Sequence, residues 1–285
     1  MLQLDSKVTL SNGLEMPILG LGVWRAKDPA ELLPAIKDAV EAGYRMIDTA
    51  RAYGNEPVVG EGLQACGLSR DQIFLTTKLK NEDQQAGYDA VMYAFEDSLR
   101  SLRTDYVDLY LMHWPVMTGR RYVDAWNTMI ELYRAGRVRA IGVCNCTEEQ
   151  LEVLAQETEM RPMVDQIECH PLLSRVDLRA YCRKNGIQFE SYSPLMRGQI
   201  DLAPELYTIA ERYGKTPAQV ILRWHLQNGA VIIPKSVHKN RILENCDLFD
   251  FVLSGEDMAR IDGMNRNQRL LGDPPNLEKN IRPYR

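Results

Sequence analysis

Ile73-Phe-Leu-Thr-Thr-Lys78, Tyr88-Asp-Ala-Val-Met-Tyr-Ala-Phe-Glu-Asp-Ser-Leu-Arg-Ser-Leu102 and Val107-Asp-Leu-Tyr-Leu-Met-His113 follow one another along the chain. The first and third are short apolar runs bounded by polar residues. The second repeats apolar side chains at helical spacing, with Ala90, Val91, Ala94, Phe95, Leu99 and Leu102 on one face. A strand and then a helix, in a unit of about 30 residues followed by the next strand, is the βα repeat of a parallel sheet. Working outward, the same alternation predicts strands at Ile18–Val23, Arg45–Thr49, Ile73–Thr77, Val107–Leu111, Ala140–Val143, Met163–Glu168, Gln188–Ser191 and Ala230–Ile233. Helices are predicted at Ala30–Glu41, Tyr88–Leu102, Asp124–Arg134, Thr147–Ala155, Leu178–Lys184 and Pro217–His225. Thr147 with Gln150 reads as a capping box, and Pro217 sits where its missing N–H costs nothing. A β-hairpin over residues 7–16, turning at Asn12-Gly13, precedes the first unit. Eight βα units in 285 residues predict an α/β fold, a (β/α)8 TIM barrel spanning 1–285 as one domain, with an irregular tail over 265–285. An open doubly wound sheet is the alternative. Gly20-Leu-Gly22 and Gly60-Glu-Gly62 both lack the third glycine of a dinucleotide fingerprint, which weakens it.

Composition narrows the function classes. Hydrophobic residues are 45% and charged residues 26%, enough for a large core and too apolar for a disordered chain. A net charge of −5 argues against a dedicated nucleic-acid binder. There is no apolar run long enough for a membrane span, and the N-terminal residues do not read as a secretion signal, so a cytoplasmic protein is expected. Cys66, Cys144, Cys146, Cys169, Cys182 and Cys246 are sparse and lack a CxxC pair, which suits free thiols in a reducing compartment. His113, His170, His225 and His238 show neither HxH nor HExxH spacing, so no metal site is expected.

In such a barrel, chemistry belongs where strands end. The second strand ends at Asp48, with Tyr53 five residues on; the third ends at Lys78; the fourth ends at His113. Singly, Asp48 and Lys78 could be a structural ion pair, His113 a core histidine and Tyr53 a loop tyrosine. At successive strand ends they make a chemical set. A carboxylate holds an ammonium in place, and the ammonium lowers the pKa of a nearby phenol. A histidine beside them can hold a carbonyl oxygen. The set suits protonation of that oxygen while hydride arrives at carbon.

These residues lie within an ordered series: Gly20-Leu-Gly-Val-Trp24, Ile47-Asp-Thr-Ala-Arg-Ala-Tyr-Gly-Asn-Glu56, Thr76-Thr-Lys78, Leu111-Met-His-Trp-Pro115, Arg137-Val-Arg-Ala-Ile-Gly-Val143, Gln166-Ile-Glu-Cys-His-Pro171, Tyr192-Ser-Pro-Leu195 and Ile233-Pro-Lys-Ser-Val237. Over nearly all its length the chain resembles the aldo-keto reductase superfamily, in its compact prokaryotic form, which includes 2,5-diketo-gluconate and glyoxal reductases. The resemblance implies a catalytic tetrad of Asp48, Tyr53, Lys78 and His113, with Tyr53 as general acid. It implies NADPH (NADP+) as cofactor, since no side chain transfers hydride. By the same resemblance Asn145 and Gln166 would bind the nicotinamide carboxamide, with Gly22 and Cys144 close by, and Tyr192 would stack on the ring. Ser193 and Leu195 would line the pyrophosphate; Lys235, Ser236, Val237 and Arg241 would take the adenosine 2′-phosphate end; Glu244 and Asn245 would meet the adenine. Trp24 and Trp114 would wall the substrate pocket, and a short C-terminal segment would leave that pocket open. The chain departs from the family at Cys144, where serine is usual, and at Asp165, where asparagine is usual.

The expected activity is NADPH-dependent reduction of small aldehydes, dicarbonyls or keto-sugars. The alternatives are a nicotinamide-binding regulatory subunit with little turnover and, further off, a barrel metallohydrolase. A small-molecule carbonyl is the expected partner, with no nucleic acid and no membrane. A monomer is expected, with a weak dimer as the other possibility.

Overall fold

The computed structural model describes residues 2–271. Two short strands, β1 (Lys7–Thr9) and β2 (Glu15–Pro17), pair antiparallel as the predicted hairpin, one residue longer at its end. Gly13 takes a φ of 85°, a left-handed turn position that glycine adopts without steric cost. Met16 and Leu10 are buried in the core, so the hairpin is joined to the barrel rather than free.

Eight parallel strands follow: β3 (Leu21–Gly22), β4 (Met46–Asp48), β5 (Phe74–Leu79), β6 (Val107–Met112), β7 (Val138–Cys144), β8 (Val164–Glu168), β9 (Gln188–Tyr192) and β10 (Val231–Ile232). Each pairs with its sequence neighbour. Parallel bridges from Leu19 to Ile232 and from Gly22 to Lys235 join the first strand to the last and close the barrel. At that seam a Cβ on Gly22 would sit 2.6 Å from the Ile233 carbonyl oxygen, so only glycine allows the approach. The seam strands are shorter than the predicted Ile18–Val23 and Ala230–Ile233 runs because their pairing there is reduced to single bridges.

The helices pack outside. Tyr88–Leu102 occupies its predicted span and buries Val91, Ala94, Phe95, Leu99 and Leu102. Thr147 and Gln150 form the reciprocal cap expected of them, and Thr216 with Gln219 forms another. Glu56–Ala65, Glu205–Tyr213, Lys239–Cys246 and Gly255–Asp262 are helices that periodicity did not assign. Glu56–Ala65 carries Gly60 and Gly62, which lower intrinsic helix propensity. Both glycines are there for close packing: a Cβ on Gly60 would meet the Ser101 carbonyl oxygen at 2.5 Å, and one on Gly62 would meet Ile36 at 2.5 Å. Trp126 and Trp224 lie fully buried in the outer layer. The tail folds back onto the barrel through residue 271, and positions 272–285 of the predicted irregular segment lie outside the described residues. Among the described residues no helix is long and apolar enough to cross a membrane.

Candidate active site

Three neighbouring strands and one short turn deliver the predicted set to one place. Asp48 is the last residue of β4, Lys78 lies near the end of β5, and His113 directly follows β6. Tyr53 ends a short 3-10 turn, Arg51–Tyr53, and a network holds that turn. Buried Asn55 accepts from the Thr49 hydroxyl at 2.8 Å and donates to the Val23 and Ala26 carbonyls at 2.9 and 2.8 Å. Arg51 pairs with Asp83 and Asp97. The phenol is therefore presented by a braced loop.

Lys78 is fully buried. Its Nζ donates to both Asp48 oxygens, at 2.7 and 2.8 Å, and to the Thr49 carbonyl at 2.8 Å. It also lies 3.5 Å from Tyr53 Oη. Burial disfavours a charged lysine, yet Asp48, with smaller help from other neighbours, outweighs that and raises the Lys78 pKa. The Tyr53 and His113 rings meet edge to face with centroids 5.6 Å apart. Burial, with Lys78 adding to it, lowers His113 to about 3, so the imidazole is neutral across the physiological range and acts as a hydrogen-bonding group.

One expectation needs correcting. The ammonium was expected to bring the phenol below its ordinary pKa. In the structure burial dominates and raises Tyr53, Lys78 pulls it down, and Asp48 pushes it up again; the net direction is upward. The phenol is thus held protonated. The physical reason is desolvation of a buried phenolate, which one ammonium already shared with a carboxylate does not offset.

Around this set stand groups able to hold a nucleotide. Buried Asn145, with a left-handed φ of 61°, donates to the His113 carbonyl at 3.1 Å and accepts from Tyr192 Oη at 2.8 Å. Gln166 is buried, and its Nε2 donates to Asp48 at 2.8 Å and to Glu190 at 2.9 Å, while its Oε1 accepts from the Cys144 thiol at 3.8 Å. Burial pushes that thiol well above its usual range, so Cys144 is an inert S–H donor here. Ser193, Met196, Arg197 and Gly198 all take positive φ, giving a tightly turned segment after β9 that includes Leu195. Gly22 lies at the seam beside Lys235, where strand closure already accounts for it.

Beyond β10, Lys235 and Arg241 are exposed and, among the described residues, neither is in a salt bridge. Ser236 is buried and Val237 partly so. Arg241 lies in the first turn of helix Lys239–Cys246. Glu244 and buried Asn245 lie further along the same helix, with Glu244 accepting from the Thr216 hydroxyl at 2.6 Å. Two unpaired cations beside a helix start fit a phosphate group.

Trp24 is half-buried, with the Arg25 and Arg197 guanidiniums 4.4 and 5.5 Å from its ring. Trp114 is buried under Arg269, 5.4 Å from its ring. Arg269 belongs to the predicted irregular C-terminal tail, which lies against the barrel here. The backbone N–H groups of Leu270 and Leu271 donate to Glu168 at 2.8 and 2.9 Å, and Arg269 Nε donates at 3.0 Å. These donors, with His170, hold the Glu168 carboxyl down at about 2 despite its burial. The segment is therefore fastened beside Trp114. Arg120 and Arg121 are engaged by Glu157 and Asp124. Asp165 alternates with Gln166 along β8 and so turns to the opposite face, where burial pushes its pKa upward.

Sequence reasoning missed Asn55, Glu168 and Glu190 as site-shaping residues. For Glu168 and Glu190 the available signal was a charged group inside or at the end of an apolar strand-like run; Asn55 carried no such signal. Among the described residues no group of three His, Cys, Asp or Glu is arranged to hold a metal ion.

Comparison with known proteins adds identity of kind. A profile described as the Aldo/keto reductase family matches residues 18–266. The chain is 48% identical over 275 residues to a glyoxal reductase of Bacillus subtilis, covering 96% of this chain and 98% of that one. It is 45% identical over 269 residues to the methylglyoxal reductase DkgA of Escherichia coli, covering 94% and 96%. A solved structure of a Gox0644 variant in complex with NADPH superposes with a TM-score of 0.89 at 43% identity, covering 96% of this chain and 99% of that one.

Proposed function

The chain belongs to the aldo/keto reductase family, and on that footing we propose that it reduces small α-dicarbonyls such as methylglyoxal to hydroxy-carbonyls, with NADPH as reductant. The observation that carries this reading is Lys78 Nζ, bound to both Asp48 oxygens and 3.5 Å from Tyr53 Oη, beside a neutral imidazole.

NADPH, when bound, supplies hydride to the carbonyl carbon. Lys235, Ser236 and Arg241 would hold its 2′-phosphate, which NADH lacks, and Val237, Glu244 and Asn245 would flank the adenosine. Ser193 and Leu195 would line the pyrophosphate. Tyr192 would face the nicotinamide ring, with Asn145 and Gln166 at the carboxamide and Cys144 behind them. Trp24 and Trp114 would wall the side from which the dicarbonyl enters.

The remaining chemistry belongs to the chain. His113, neutral, donates an N–H to the carbonyl oxygen and orients it. As negative charge gathers on that oxygen, Tyr53 gives up its proton to it. An alkoxide is far more basic than a phenolate, so a phenol of raised pKa is still acid enough for this transfer. Lys78 stabilises the phenolate left behind, and Asp48 keeps the ammonium charged and in place. The glyoxal and methylglyoxal reductase names of the relatives support the substrate class.

The test is Tyr53→Phe. Methylglyoxal-dependent oxidation of NADPH should fall roughly 10²–10⁴-fold, the usual worth of a general acid, with NADPH affinity nearly unchanged. Comparable turnover in the variant would refute the acid role. Tight NADPH binding with no carbonyl consumption by the wild type would favour a binding subunit instead.

A further inference from the structure

A second carboxyl lies behind the Asp48–Lys78 pair. Glu190 sits on β9, in register with Gln166 of β8, and is fully buried. The Gln166 amide nitrogen has two N–H groups and spends one on Asp48 Oδ2 at 2.8 Å and the other on Glu190 Oε2 at 2.9 Å. Glu190 Oε1 meets no hydrogen-bond partner. The ionisable groups facing this carboxyl are Asp48 from β4, Lys78 from β5 and Cys144 from β7; its register neighbour on β10 is the apolar Val231. One ammonium thus serves two carboxyls, and Asp48 already takes it with both oxygens.

We infer that Glu190 is a positioning residue for the Lys78–Tyr53 pair: it turns the Gln166 nitrogen onto Asp48 and, by staying protonated, leaves the lysine's remaining field to the phenol. The role rests on the reading of Tyr53 as the acid. An uncharged carboxyl satisfies the charge count, because a bare anion with an unpartnered oxygen is costly to bury. Burial first, and the Asp48 charge second, push Glu190 up to about 8, against the opposing pull of Gln166 and Lys78. Above that pH a second negative charge enters the cluster. It competes for Lys78, disfavours phenolate and slows proton delivery from Tyr53.

Glu190→Gln keeps the shape and the hydrogen bond but cannot ionise. In the wild type, methylglyoxal reduction at saturating NADPH should drop roughly three- to tenfold between about pH 7 and about pH 9, as a group of mildly alkaline pKa loses its proton. In Glu190→Gln the drop should shrink below about twofold over the same range. Equal drops in both proteins would overturn the inference, since a purely structural role leaves the pH profile in place. Carbon-13 labelling of glutamate δ-carboxyls reads the group without turnover. One resonance should titrate near pH 8 in the wild type and be missing from Glu190→Gln. Should that variant not fold, the wild-type resonance decides. Ordinary-range titration of every glutamate in an active enzyme would fail this inference alone, whereas a wild type without turnover would fail the reductase reading.

Discussion

The barrel buries a carboxylate near each end, and the two are treated differently. At the start of β6, Asp108 receives Arg70 at 2.8 Å, Arg139 at 2.8 Å and the Leu75 backbone N–H at 2.9 Å. Both its oxygens are engaged, and both guanidiniums keep contact with solvent. At the other end, Asp48 takes one fully buried ammonium, which also lies 3.5 Å from a phenol, and one amide nitrogen, which it shares with a neighbouring carboxyl. The first arrangement is complete. The second is short of positive charge and leaves a carboxyl oxygen without a partner. Stability favours satisfied groups, so the shortfall sits where strand ends face the site and not at the barrel floor.

That contrast can be broken at several points. Lys78→Met should destabilise the fold by about 3–5 kcal/mol, because it strands Asp48 as an uncompensated buried charge. It should also abolish reduction. Urea unfolding with a stability close to wild type would contradict the reading of Asp48 as buried and dependent on one cation. Asp108→Asn should cost about 1.5–3 kcal/mol, the worth of hydrogen bonds to charged groups, discounted toward the lower figure by the exposure of Arg139. Its kcat for methylglyoxal should match the wild type, and a large loss would erase the distinction between the two ends.

Arg241→Ala should weaken NADPH by about 1.5–3 kcal/mol and NADH much less, if a charge-assisted contact to the 2′-phosphate is lost. Fluorescence titration with both nucleotides checks it; equal losses would move the phosphate contact elsewhere. A separate effect concerns acid. His113 has a depressed folded pKa of about 3, so its contribution to stability is present above the ordinary histidine value and is lost as pH falls through the acid range toward that figure. His113→Gln should therefore flatten the decline of unfolding free energy below about pH 6.5, while Asp108→Asn should leave that part of the curve in place. An unchanged slope in His113→Gln would show that the imidazole is not held neutral.

Much of this is legible in the amino-acid sequence alone. Repeating strand and helix periods place β5, the helix Tyr88–Leu102 and β6, because each needs only its own residues to declare a buried face. Asp48, Lys78 and His113 were readable as polar residues closing apolar strands. The helix Glu56–Ala65 was hidden by Gly60 and Gly62, whose value lies in contacts with distant backbone and Ile36. Glu168 and Glu190 were hidden for a related reason: each is explained by a partner more than twenty residues away, the C-terminal segment for one and Gln166 for the other.

The order of residues alone determined the barrel and the set of groups at its strand ends, since local periodicity and strand termini are properties of neighbours in sequence. The balance of charge among those groups was decided only in three dimensions. Whether a lysine lowers a phenol's pKa depends on how much water burial removes and on which acids share the same ammonium, and here desolvation, with the Asp48 carboxylate beside it, reversed the direction that proximity along the chain suggested.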